Sequence, residues 1–406
     1  MIKPTKPLPF AEFVVMLAFM MSIVAMSTDI MLPALALIAD DLRVADPNDI
    51  QLVVSSLFLG FALGQLIVGP LSDAFGRKPI IFFGYVVFVV GCILSVAATD
   101  LTAMLIGRFL QGIGAAAPRV VGTSLIRDGY GGRAMARIMS IIMSVFILVP
   151  AIAPSIGQGV ITLLPWRYTF VVLLVMAVTS AAWFGIRQPE TLARENRRAL
   201  SIRNLVAGSS EVLSNRTVFG YTLSMGFIFG AFLSYLGASR QVFQNTLGAG
   251  DMFAIYFGVA ALALGAASIS NSLMVMRLGM RLLTHSALVA LVLLSGGFLA
   301  VFYALNGQPS TPLFMTWQLA AFFCVGILFG NLNALAMEPL GHMAGLGAAL
   351  VGSVSTFISL PFGWLIGQMY AGTVLPLVGG FFSLGLAALI AARWTERAFP
   401  FRALSP

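Results

Sequence analysis

This sequence has very little charge. Only 9% of its 406 residues are Asp, Glu, Lys or Arg, against 59% apolar ones, and the mean hydropathy is +0.97. So few charges cannot cover the surface of a soluble domain of this length, and the composition points to a membrane protein. Histidine and cysteine are scarcer still, with two of each. Cys92 and Cys324 fall inside apolar runs in different halves, where the role of a small apolar filler fits better than a disulfide or a metal ligand. His285 and His342 are distant in sequence and no paired acidic motif accompanies them. The gathered polar groups that an integral membrane enzyme needs are therefore missing, which leaves that reading remote. No ATP-binding motif is present, so an energised process would draw on an ion gradient. The basic start MIKPTKPLPF is expected to lead into a retained helix rather than a secretory signal. The run behind it is too long, holds Asp29 and continues to Pro33 without a small-residue cleavage pattern.

What the sequence does contain is about twelve apolar runs near 20 residues, the length that crosses roughly 30 Å of hydrocarbon at 1.5 Å per residue. They lie near 13–38, 51–69, 79–98, 101–125, 137–162, 166–187, 217–240, 252–275, 282–303, 312–337, 344–368 and 372–393. Their apolar residues surround the whole helical circumference instead of alternating, which argues against a membrane β-barrel and for an all-α fold. With the N-terminus inside, 18 Lys and Arg residues fall in inward loops and tails, while only Arg43, Arg167 and Arg240 face outward. That asymmetry places both termini in the cytoplasm and explains the +8 charge without nucleic acid.

The longest polar stretch, 188–216, divides the chain into bundles 1–187 and 217–406 of six helices each. A faint repeat supports the division: Gly279 in VMRLGMRLL aligns with Gly76 at an offset of 203, although Met276 takes the place of Asp73. Two parallel six-helix repeats are an architecture of secondary transporters.

The run GPLSDAFGRKPI sits in the inward turn between spans 2 and 3. Gly76 permits a left-handed turn, Pro79 starts a helix, and Arg77 and Lys78 obey the inside rule. Asp73 contributes nothing to that rule. It is either a local cap or surface ion pair, or a latch to a neighbouring helix terminus or to Arg127.

This loop resembles the G-x-x-x-D-R-x-G-R-K signature of the major facilitator superfamily, with Ala74 in place of the usual Arg. STDIMLPAL in span 1, GRFLQGIGAAAPRVVGTSLIRD in span 4, VPAIAPSIGQG in span 5 and ALAMEPLGHMAGLGAALVGSVST in the second half are similar to the twelve-helix drug/proton antiporters. Within these the sequence is closest to the bicyclomycin and chloramphenicol resistance (Bcr/CflA) group. The resemblance covers nearly the whole chain. It implies two pseudo-symmetric bundles, a bacterial inner-membrane location and a monomer that exports small organic compounds or drugs in exchange for protons by alternating access. No cofactor is implied beyond the proton. The loop residues Gly69, Asp73, Gly76, Arg77, Lys78 and Arg127 would form its gating motif. Pro150, Pro154, Gly157 and Gly159 of span 5 would bend the antiporter helix and let a neighbour approach; plain small-residue packing explains the same letters.

Ionisable residues inside hydrocarbon cost about 2.5–3.5 kcal/mol even on the lenient insertion scale and are functional candidates by default. Asp29 lies beyond the middle of span 1 and Arg108 before the middle of span 4, which runs the opposite way, so both sit roughly 6–8 Å to the outer side of the midplane. The two are expected to meet. Asp29 then either alternates between Arg108 and a proton, or forms a permanent packing pair with it. Gln111 and Arg119 are candidate cavity wall, although Arg119 equally suits snorkelling. Glu338, before Pro339, is a candidate second proton site with His342, or merely a helix end. Met143, Phe146, Tyr235, Asn331, Asn333, Ser355 and Thr356 complete the expected cavity wall, the alternative being that they face lipid or are simply packed, as most aromatic and Met residues of a bundle are. An exchanger or importer of an anionic metabolite is the alternative, favoured by two intramembrane arginines against one acid.

Overall fold

The computed structural model describes residues 8–197, 200, 202–305, 307 and 309–396. Among them every regular element is helical. The first crossing is α1 (Phe10–Asp29), continued after a break by α2 (Leu35–Asp41). Then come α3 (Leu52–Phe75), α4 (Arg77–Val96), α5 (Leu101–Gly129), α6 (Gly132–Leu163) and α7 (Tyr168–Arg187). A short helix, α8 (Ile202–Ser214), lies in the stretch expected to be a polar linker. It buries Val212 and brings Gly208 against Leu346. The remaining helices are α9 (Arg216–Gln241), α10 (Phe253–Leu278), α11 (Met280–Ala304), α12 (Thr311–Met337), α13 (Ala344–Gln368) and α14 (Leu375–Glu396).

Ten of these crossings are apolar and long enough to span a bilayer by composition. α5 and α6 join them by length, since their 29 and 32 residues reach beyond the roughly 30 Å of hydrocarbon. With them the described residues hold twelve helices long enough to cross a bilayer.

The chain falls into two compact units, 1–201 with 251–262, and 202–250 with 263–406. In the first, α5 is the central helix, packed on α3, α4 and α1. Its grip on α3 depends on missing side chains: a Cβ on Gly60 would lie 2.0 Å from the Phe109 carbonyl oxygen, and one on Gly112 2.0 Å from that of Leu57. Without a hydrophobic force between helices in lipid, such backbone contact is the means of close association. In the second unit α9 takes the central place against α12, α13 and α14.

Candidate functional site

The first crossing breaks where its acid lies. Pro33 has no N–H to offer the Asp29 carbonyl four residues back, so the helix cannot continue. Ile30 still donates to the Met26 carbonyl at 3.1 Å, and the chain then tightens into a 3₁₀ turn over Leu32–Ala34, with Ala34 donating to Met31 at 2.8 Å. Asp29 is the last residue of α1 and only 4% exposed. α6 presses directly on the break: a Cβ at Gly157 would come within 1.8 Å of the Ile30 carbonyl oxygen, so no other residue fits there without moving a backbone. The close approach expected of span 5, which is α6, thus falls at Gly157, beside Asp29. Gly159 has nothing within 4 Å. Pro154 is buried and Pro150 half-buried within an unbroken α6.

Arg108 is completely buried. Its Nη2 donates to the Ser27 carbonyl at 2.9 Å, its Nε to the Val53 carbonyl at 3.2 Å and its Nη1 to Gln111 Oε1 at 2.5 Å. The Gln111 amide passes the chain on to Ser95 Oγ at 3.0 Å, and the guanidinium carbon lies 5.7 Å from the centre of the Phe170 ring. One side chain of α5 therefore ties together α1, α3 and, through Gln111, α4. The expected ion pair with Asp29 is not formed: among the described residues Asp29 has no salt bridge, and the guanidinium is satisfied on α1 two residues earlier. Two residues are about 200° of helix rotation, enough to separate the Ser27 contact from the Asp29 side chain. Gln111 is corrected with it. Both ends of its amide are used inside the bundle, so it orients Arg108 and does not line an open cavity.

The turn between α3 and α4 holds a second cluster. Gly76 has φ +107°, which side-chain-bearing residues rarely adopt, and a Cβ there would meet Glu190 Oε2 at 2.8 Å. Arg77 is 4% exposed and bonds Asp73 at 2.5 Å, Asp128 at 2.9 Å and Ser72 Oγ at 2.8 Å. The Glu190 carboxylate accepts the backbone N–H of Arg77 at 3.0 Å and of Lys78 at 2.9 Å, which satisfies and neutralises the positive end of α4. In return Lys78 Nζ donates to the carbonyls of Gly185 and Gln188, at 2.8 and 2.7 Å, at the end of α7. Asp73 is thus both a local ion pair and part of a link to another helix end. The expected partner Arg127 is exposed; its neighbour Asp128 makes the link and also accepts from Thr191 Oγ1 at 3.0 Å. Gly69 is half-buried, with Val120 at an ordinary 3.9 Å from its Cβ position. Sequence reasoning missed Asp128, Glu190 and Thr191. The signals were present as an acid directly after Arg127 and as PET in the first polar residues after span 6.

The family model of the Major Facilitator Superfamily matches residues 17–363. The chain belongs to that superfamily. It is a multi-pass membrane transporter and not an enzyme. It is 30% identical to a bicyclomycin resistance protein homolog of Haemophilus influenzae, over 93% of this chain and 94% of that one. It is 26% identical to the multidrug resistance protein MdtL of Klebsiella pneumoniae, over 89% and 90% of the two chains. The crystal structure of a D-xylose-proton symporter superposes with TM-score 0.77 at 13% identity, covering 96% of this chain and 98% of that one, and shares the fold.

The remaining candidates of this superfamily member are scattered. Arg119 is half-buried on α5 beside the buried Pro118. Ser355 and Thr356 are buried, but both hydroxyls donate to the Gly352 carbonyl of their own helix, at 2.9 and 2.8 Å. Asn331 exchanges two hydrogen bonds of 2.9 Å with Asn271, an amide pair joining α12 to α10. Asn271 was not foreseen, since a lone amide in an apolar run announces no partner. Asn333 is exposed, and the buried Tyr235 ring stands edge-on to Phe322 with centroids 4.8 Å apart. The side chains of Met143, Phe146 and His342 lie outside the described residues. Glu338 is corrected: it sits past the end of α12, half exposed, and pairs with Arg281 at 3.1 Å. Pro339 ends the helix before the acid can enter the bundle, so Glu338 is not a buried proton site.

Proposed function

We propose that the chain is a proton-coupled antiporter that exports small organic compounds, drugs among them, and that Asp29 carries the coupling proton. The observation that carries this reading is a carboxyl group buried at the break of α1 with no ion pair among the described residues. Such a group is costly in hydrocarbon and is retained where its charge is put to use. The broken turn and the backbone contact with Gly157 make this a point of the first unit where a small rearrangement would alter the surroundings of one acid. Arg108 enters as a positioning residue: it holds the α1 backbone at Ser27 and fixes where Asp29 stands. The drug-resistance names of the two bacterial relatives support drug-like cargo. In this reading the chain acts as a monomer in a bacterial inner membrane, both termini cytoplasmic, with the proton gradient as its energy source. Proteoliposomes with an imposed pH gradient test it, by screening candidate compounds for proton release and repeating the active ones with Asp29→Asn. A compound that moves protons only with Asp29 intact supports the reading.

Exchange of an anionic metabolite is the second reading, favoured by the half-buried Arg119 on α5, since Arg108 is engaged within the bundle. Anions that raise the unfolding temperature of the purified protein where cations do not would favour it.

A further inference from the structure

The first turns of α11 and the last turn of α14 enclose a groove of about 450 Å³ lined by His285, Ser286, Val289, Ala290, Leu293 and Arg393. Its two ends differ in chemistry. Residues 285, 289 and 293 form one row along α11, with 286 and 290 beside it. Over about 12 Å the row passes from an imidazole to bare hydrocarbon, and Leu293 is 68% exposed. Arg393 closes the polar end. It is exposed and makes no hydrogen bond or ion pair among the described residues.

The acids nearby are already engaged. Glu396 accepts from Tyr221 Oη at 2.9 Å and meets His285 Nε2 at 2.6 Å, while Glu338 is held by Arg281. His285 Nδ1 is buried without a partner among the described residues. At the same end of α14, outside the lining of the groove, Arg216 is stacked 4.4 Å from the Trp394 ring and bonded to the Trp394 carbonyl. Tryptophan and arginine at the end of a spanning helix mark the headgroup layer, and basic pockets between such helices suit anionic lipid heads. A soluble anion would use the cation and leave the apolar row uncovered. An acyl chain with a charged head uses both.

We propose that this groove binds an anionic phospholipid of the surrounding bilayer, with its phosphate on Arg393 and an acyl chain along Val289 and Leu293. The test is thermal unfolding of the purified full-length chain in neutral detergent, titrated separately with phosphatidylglycerol, phosphatidylcholine and inorganic phosphate. Phosphatidylglycerol is expected to raise the midpoint saturably, while the other two do not. Arg393→Gln should raise the half-saturating phosphatidylglycerol concentration about fivefold, the worth of one interfacial arginine. Leu293→Asn should weaken it by shortening the acyl contact, and Arg137→Gln, at an exposed arginine in the other unit, should leave it unchanged. An equal response to phosphatidylcholine, a response of the same size to phosphate alone, or Arg393→Gln behaving like Arg137→Gln would overturn the assignment.

Discussion

The two units each carry a glycine turn that feeds a helix whose early cation meets an acid, yet the two turns differ in depth. Gly76 and Gly279 both have positive φ, +107° and +78°. Behind the first, Arg77 is buried and shared between Asp73 and Asp128, with Glu190 closing the start of α4. Behind the second, Arg281 and Glu338 are 60% and 50% exposed, and Met276, standing where Asp73 does in the first, is 88% exposed. The acid that matters in the second unit is Glu396, which reaches His285 and Tyr221 from the end of α14. The same backbone turn therefore serves a buried arginine shared by two acids in one unit, and in the other an exposed arginine that pairs with Glu338 and lies within electrostatic reach of Glu396. The difference lies in acids far away in sequence.

Substitutions can break this contrast. Arg77→Ala removes the charge-assisted hydrogen bonds of a buried side chain to Asp73, Asp128 and Ser72, and should lower stability by about 3 kcal/mol, although both acids can then turn to solvent. Chemical unfolding of the full-length chain in detergent reads that loss. Gly76→Ala should cost about 2 kcal/mol, because it combines the strained φ with a clash on Glu190. At Gly279, where nothing lies within 4 Å, the same change carries the strain alone and should cost about 1 kcal/mol. Equal losses at the two glycines would show that the Glu190 contact adds nothing. Arg281→Ala should be smallest, under about 1 kcal/mol, as for exposed pairs generally. A loss there matching Arg77→Ala would erase the distinction between the two turns.

Much of this fold is legible in the sequence, because a twenty-residue apolar run has few options in a bilayer. The expected span 344–368 coincides with α13, and 312–337 begins one residue after α12 does. The break after Asp29 was signalled by Pro33. The linker helix α8 was not foreseen, since its short, mixed pattern does not stand out from a polar stretch. At the site, sequence identified the helices and heights but not the pairings. Arg108 does reach α1 as the height argument required, yet it takes a backbone carbonyl, and no side-chain pattern reveals a carbonyl acceptor. Likewise Asp73 and Arg77 were visible as a motif, whereas Glu190 came to them across more than a hundred residues. Asn271 and Asn331 became a pair only once α10 and α12 were placed side by side.

The proposed proton coupling rests on Asp29 as the carrier, and proton release from proteoliposomes under an imposed pH gradient tests it directly. With a transported compound added, the wild-type chain should release protons. Asp29→Asn, verified to unfold at an unchanged temperature, should release none. Substrate-driven proton release at the wild-type rate in that variant would contradict the account.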